Sequence, residues 1–453
     1  MKKSVIFFAL SLSLLAGGLT ACNNSDNDNG NSNQNQNQSG VKAKSIKSEL
    51  ARVDSTISND KLSAFVNNQY NLNFDLIRAS SEQLHNDNAM ISTFSIQMAL
   101  AMTWGGADGD TASEMASALH LDADSHSALN KLDSMINLKN KLEYDNGDKE
   151  NPEHKDAVEI KTSNNMYFAT DTYTWSEDWL NLLATNYGAG LQEMDFASDP
   201  EAARKYINDV VSNDTHNRIN NLLPEKSITL STQSVITNAI YFKAPWKDNV
   251  SEGGSIDFHK LDGSSVSVDC LTVSENYLYM ADSVSNMYQA VSVPLRDNDF
   301  NVMFILPAEG KFNEVQESLN GTVVSSIFDN FSDETKINLK FPSYSFETSL
   351  SLKAPLKSLG MVKAFDASNA DFSKMTKESN DLFVDDIYHK TFIGLDKNGV
   401  EASAATAVVI ARETAELNEP INLDLDRPYI FVIYESESRT PLFVGRVMDP
   451  SKK

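Results

Sequence analysis

Residues Asn398 to Ala411 read NGVEASAATAVVIA. Taken as a strand, Val400, Ala402, Ala404, Thr406, Val408 and Ile410 fall on one face, all of them apolar except Thr406. The other face carries Glu401 and Ser403 before Ala405, Ala407 and Val409. Small residues fill the middle, and Gly399 gives the backbone freedom at the start. A polar run follows, Arg412 to Pro420 (RETAELNEP), with the composition of an exposed loop. The same stretch also suits an Ala-rich helix or an ordinary edge strand, because alanine is the best helix former. A segment able to be a loop in one state and a strand in another describes a switch.

Outward from this stretch the chain reads as continuously folded from about Leu62. Phe65, Tyr70, Phe74, Leu76 and Ile77 lie at helical spacing, and Ile96 to Trp104 and Thr111 to Leu119 follow as helices about a glycine-rich turn. Residues 145 to 156 are charged, with Gly147 and Pro152, and read as a surface excursion. Glu177 to Tyr187 and Pro200 to Leu223 read as helices. Strand-like runs then dominate: Ser234 to Phe242, Val266 to Cys270, Ala290 to Val293, Asn301 to Leu306, Ile337 to Phe341, Ile430 to Tyr434 and Leu442 to Val447. Helices and strands without regular βαβ alternation predict an α+β architecture, here one domain over residues 56–453.

The ends and the composition narrow the function. Lys2-Lys3, an apolar run from Ile6 to Leu15 and the small-residue site Leu19-Thr20-Ala21-Cys22 have the form of an export signal over residues 1–22. Its closing cysteine resembles a bacterial lipobox, which implies cleavage before Cys22 and lipidation there. Residues 23–55 read as a polar, flexible spacer, opening on NNSDNDNGNSNQNQNQSG. The expected location is therefore the cell envelope, lipid-anchored at the outer membrane and surface-exposed if Asp26 and Asp28 act as an export signal. Cys270 is the other cysteine, so a chain lipidated at Cys22 has no internal disulfide; its alternating run, Val266 to Cys270, marks it as a small buried residue. The formal charge of −25 becomes −27 once Lys2 and Lys3 are removed, and such a surface repels nucleic acid and sulfated polysaccharide.

Catalytic signatures are missing from the sequence. The seven histidines, His85, His120, His126, His154, His216, His259 and His389, show no HExxH or other close ligand spacing. There is no GxSxG elbow and no phosphate-cradling glycine loop. The reading expects no catalysis, no metal and no cofactor.

Several motifs, in order, resemble one family. They are Asn88 to Met115 (NAMISTFSIQMALAMTWGGADGDTASEM), Ile207 to Leu223, Asn238 to Trp246 (NAIYFKAPW), His389-Lys390-Thr391-Phe392 and Pro441 to Pro450 (PLFVGRVMDP). From roughly residue 60 to the C-terminus the chain is similar to serpins. The resemblance implies three β-sheets with surrounding helices and an exposed reactive-centre loop. It implies a monomer that inhibits a serine, or a cysteine, protease irreversibly: the loop is cut as a substrate, then enters the largest sheet as a new strand carrying the acylated protease. The other implied reading is a non-inhibitory binding lipoprotein on the same fold.

The resemblance also assigns residues. Gly399, Val400, Glu401, Ala402, Ser403, Ala404, Ala405 and Thr406 fall where serpins carry the hinge of the loop. Ser92, Ser95, Asn238 and His389 match a polar cluster beneath the sheet that helps control its opening. A count of roughly fifteen positions from Gly399 places the reactive bond at Glu413–Thr414, with Arg412–Glu413 as the alternative. Val400 stands where inhibitory members have threonine or serine, Lys397 where they have glutamate, and Thr93 where proline follows the serine. These departures bear on the speed of insertion.

Overall fold

Ser234–Pro245, SVITNAIYFKAP, is the central strand of the molecule. Its β-branched and aromatic residues favour extended backbone, and every position except Lys243 is buried, the pattern of a strand covered on both faces. The computed structural model describes residues 41–145, 158–170, 172–282, 285–332, 335–377, 382–401 and 419–452. These belong to one body.

Along the chain, strands β1 to β5 are Ala43–Ile46, Ala89–Ile91, Glu159–Ala169, Leu191–Met194 and Ser234–Pro245. Strands β6 to β11 are Ser251–His259, Ser265–Ala281, Tyr288–Pro294, Phe300–Pro307, Thr335–Pro342 and Tyr344–Ser351. Strands β12 to β16 are Ile387–Asp396, Gly399–Val400, Ile421–Asp424, Tyr429–Glu435 and Pro441–Val447. Helices α1 to α5 are Asn59–Ala79, Ser81–Leu84, Thr93–Trp104, Gly109–Ala118 and Ser125–Asp145. Helices α6 to α10 are Glu177–Tyr187, Pro200–Asp214, Phe312–Ser318, Gly321–Asp329 and Lys353–Ser358.

The expected α+β fold with three sheets is what these elements build. The largest sheet runs β1-β4-β3-β5-β13-β12-β11. A second holds β6, β7, β10 and β14, and a third holds β7, β8, β9, β15, β16 and β2. The long β7 serves both, pairing with β6 and β10 through Tyr277 and then with β8 from Leu278 to Ala281. Helix α3 is buried at every position from Thr93 to Thr103 and packs against β3, β5 and β16. A helix apolar all round belongs in a core.

Two expectations are corrected by the backbone. The helix read as Pro200 to Leu223 ends at Asp214. Thr215 turns its hydroxyl back to the Val211 carbonyl, at 2.7 Å, and His216 and Asn217 take φ of 51° and 61°. The apolar spacing nonetheless continues, because Ile219 and Leu222 pack with Val211 and Ala239 from the loop that follows. The spacer expected to reach residue 55 is tied to the body from Ala43 onward. β1 pairs antiparallel with β4, Arg52 donates to Asn130 Oδ1 at 2.9 Å and is ion-paired to Asp133, and the Val53 N–H donates to the Thr185 carbonyl at 2.9 Å. Backbone pairing of this kind leaves no trace in a polar composition.

Candidate functional site in the largest sheet

β5 and β12 are parallel and pair directly over a short stretch, from Ile236↔Ile387 to Ile240↔Thr391. Beyond it Gly399 and Val400, the residues assigned by resemblance to the hinge, stand between them as β13, antiparallel to both. Gly399 pairs with Pro245 and Asp396, and Val400 with Ala244 and Leu395. Only glycine fits the first position. Its φ is 144°, and a Cβ there would lie 2.2 Å from the Ala244 carbonyl oxygen and 2.5 Å from the Pro245 Cα. Val400 is 2 % exposed and joins the main core. Trp246 closes the end of the gap, its indole N–H donating to the Asp396 carbonyl at 2.8 Å and its amide to the Asn398 carbonyl at 3.2 Å.

Glu401 follows Val400. This residue takes φ of 51°, a left-handed turn that is strained for a side chain with a Cβ, while its N–H donates to the Gly394 carbonyl at 2.6 Å. Its side chain is 6 % exposed and ion-paired to Arg218, which comes from the loop after α7 and lies over the Phe392 ring at 5.6 Å. Burial pushes the Glu401 carboxyl up to about 7, although Arg218 and Lys243 act in the opposite sense. A cavity of about 660 Å³ opens here, lined among others by Arg218, Tyr241, Lys243, Phe392, Asp396 and Glu401.

Where β5 and β12 touch, the expected polar residues come together. Ser92 caps α3, accepting from the Ser95 N–H at 3.3 Å. The Ser92 N–H donates to His389 Nε2 at 3.2 Å, and His389 Nδ1 lies 2.6 Å from Asn238 Oδ1. Nε2 accepts, so Nδ1 carries the proton and donates it: the ring is neutral. Complete burial agrees, holding the imidazole down at about 3. The Asn238 amide donates to Ser95 Oγ and to Asn164 Oδ1, both at 2.7 Å, and Ser95 Oγ donates to Asn164 at 3.0 Å. Asn164, on β3, is the member that sequence reasoning missed; its run, KTSNNMYFA, carries nothing that separates Asn164 from Asn165. The network ties three strands of the sheet to the N-terminus of α3. Parting β5 from β12 breaks its His389–Asn238 bond.

The remaining assigned residues are placed as follows. Thr93 accepts a hydrogen bond from the Asn73 amide beneath the sheet, and Lys397 pairs with Glu252 at 2.7 Å on the surface. Ala402, Ser403, Ala404, Ala405 and Thr406, the bond candidates Arg412, Glu413 and Thr414, and Cys22 lie outside the described residues. No cluster of His, Cys, Asp and Glu suited to a metal occurs among the described residues.

His389→Leu is expected to destabilise the protein by about 2–4 kcal/mol at pH 7, because the Ser92 N–H and Asn238 Oδ1 lose their buried partner. The pH dependence follows from the ring. Unfolded, His389 takes a proton below about pH 6.5, whereas folded it does so only near 3, so the unfolded chain binds more protons in between. The stability it holds is complete above about 6.5 and is lost at about 1.4 kcal/mol per unit as pH falls towards 3. Denaturant titrations of both proteins should therefore converge as the pH is lowered; a gap independent of pH would contradict the neutral ring.

Comparison with known proteins places this geometry. The family profile described as Serpin (serine protease inhibitor) matches residues 67–450. An uncharacterised serpin-like protein of Thermococcus kodakarensis is 32 % identical over 370 residues, covering 81 % of this chain and 82 % of its own. Mouse antithrombin-III is 30 % identical over 388 residues, with 85 % and 81 % covered. The crystal structure of Tengpin, a thermophilic serpin in its native state, superposes with a TM-score of 0.75 at 25 % identity over 90 % of this chain and all of that one. A profile that spans most of the chain makes this protein a member of the serpin family.

Proposed function

We propose that this serpin is an irreversible suicide-substrate inhibitor of serine proteases, with cysteine proteases as a further target class. The observation that carries the reading is β13. Its two residues already lie between β5 and β12, antiparallel to each. Continuing the chain along that line would replace one short parallel contact by two antiparallel ladders, which are slightly the more stable per residue. Val400 faces the core, and simple alternation would send Ala402, Ala404 and Thr406 the same way.

In this reading the protease's nucleophilic oxygen or sulfur attacks the carbonyl carbon of Glu413. The Glu413–Thr414 peptide bond breaks, the Thr414 nitrogen takes a proton, and an ester or thioester holds the protease on the loop. Insertion then carries the protease away before water can release it. The test is incubation with a panel of proteases, followed by denaturing electrophoresis and intact-mass measurement of the released C-terminal fragment. A complex that survives denaturation, with a fragment beginning at Thr414, is expected. A fragment beginning at Glu413 would move the bond to Arg412–Glu413, and a loop cut by every protease with none retained would sink the inhibitory reading. A non-inhibitory binder would be the alternative left.

The same proposal places the protein on a membrane by a lipid at Cys22, at the outer membrane of the cell envelope. It rests on the lipobox-like LTAC sequence. No helix among the described residues is long and apolar enough to cross a membrane. Cys22→Ser is expected to move the expressed protein from the membrane fraction to the soluble one. Unchanged membrane association would contradict the anchor.

A further inference from the structure

Helices α1 and α3 meet through four polar side chains inside an otherwise apolar core. Gln69, Asn73, Thr93 and Gln97 are all fully shielded from solvent. The two helices run antiparallel. Lys61, near the start of α1, pairs with Asp124 at 2.7 Å, and Trp104, the last residue of α3, stacks on His126 with ring centroids 5.1 Å apart. The start of α1 and the end of α3 therefore both lie at the start of α5. Asn73 Nδ2 donates to Thr93 Oγ1 and fixes the level at which the helices touch. Gln69 comes one turn nearer the start of α1, and Gln97 one turn further along α3. In an antiparallel pair those two steps go the same way, so the glutamines stand at one level, on the faces that carry Asn73 and Thr93.

The hydrogen bonds of this joint do not close. Gln97 Nε2 donates to the Leu119 carbonyl at 3.0 Å, at the end of α4. Gln97 Oε1 has no partner in the protein, and neither have Asn73 Oδ1, Gln69 Oε1 and Gln69 Nε2. Three acceptors thus face one unpartnered donor atom. A direct bond from Gln69 Nε2 to Gln97 would leave Asn73 Oδ1 and Gln69 Oε1, two acceptors that cannot pair with each other. Buried polar atoms are seldom left in that state, and where the protein supplies no partner, water does. We propose that the joint between α1 and α3 is an internal water site, in which water accepts from Gln69 Nε2 and donates to the amide oxygens of Gln69, Asn73 and Gln97. The donor set selects water over an ion. None of the four side chains is charged, so a cation would exchange its hydration for dipoles alone and would meet the Gln69 N–H with the wrong polarity. The site owes nothing to the reactive loop and stands apart from the proposed inhibitory function.

Magnetic relaxation dispersion of the solvent oxygen, measured on the full chain, counts water that is held inside for long times. Gln69→Met keeps the length of the side chain and removes both of its polar atoms. It is expected to lower the wild-type count by on the order of one molecule per chain. Gln97→Met, acting from the other helix, should lower it as well, whereas Lys205→Ala on the surface should leave it unchanged. A denaturant titration shows that each variant folds. A high-resolution crystal structure of the wild type needs no variant, and should show density within hydrogen-bond distance of Gln69 Nε2. A count that stays at the wild-type value in both folded glutamine variants would overturn the site. So would a crystal structure in which the amides contact one another with no density between them. Stability that rises when sodium replaces choline at equal ionic strength, and no longer does so in Gln69→Met, would put an ion there and overturn the assignment to water.

Discussion

Cutting the loop with a protease that is not retained is expected to raise the midpoint of thermal unfolding by on the order of 10–20 °C. The expectation follows from the gap that β13 occupies. A strand continuing from Val400 would reach roughly 14 residues, and each ladder hydrogen bond is worth about 0.5–1.5 kcal/mol net. The parallel contact it displaces is short, Ile387 to Thr391 against Ile236 to Ile240. Insertion thus gains about 10 kcal/mol before the entropy of ordering the loop is subtracted. Differential scanning calorimetry of intact and cleaved protein measures the shift. A change of a degree or two would mean that the cut loop stays outside the sheet, as in a binding protein that never inserts.

If the loop inserts as proposed, a charge placed on its inward face should work against insertion. Ala404→Arg is expected to turn the protein from inhibitor to substrate, with at least about tenfold less protease trapped per loop cut. Val400 is buried in the core, and a chain continued in extended form from it would put Ala404 on the same face. A guanidinium carried into that core has no partner and costs several kcal/mol, enough to stall insertion while the acyl bond is hydrolysed. The rate of cleavage itself should be unchanged, since the bond lies far along the loop. Counting complexes against cleaved product on a denaturing gel decides the matter; trapping at the wild-type ratio would mean that position 404 does not face inward.

The fold was legible where burial follows a simple period. The apolar runs of β5, β9, β15 and β16 stand out because both faces are covered, and the amphipathic α6 begins and ends at the residues its pattern indicates. β6 was not, since SEGGSIDFH is glycine-bearing and largely exposed, held by pairing with β7. β7 is longer than its Val266–Cys270 core because it changes partner part-way, and its exposed residues follow no single alternation. Of the site, the motifs led to Ser92, Ser95, Asn238 and His389, which the structure joins in one network, but not to Asn164 or Arg218. Both enter by tertiary placement, the first through the register of β3 against β5 and the second through a loop that leaves α7 early.

β1 has one further consequence, for how copies of this protein behave side by side. Without it, β4 would end the largest sheet and offer a row of unpaired amides and carbonyls, with only Leu191-Gln192-Glu193-Met194 to shield them. Such a rim invites a neighbouring chain to add a strand. β1 covers it and moves the rim outward to a short strand flanked by two positive charges, Lys42 and Lys47, while Lys44 within it pairs with Glu193 of β4 at 3.0 Å. Two such rims brought together meet like charge against like charge, which discourages pairing between molecules. The short strand that precedes the first helix thereby doubles as protection against aggregation of the folded protein.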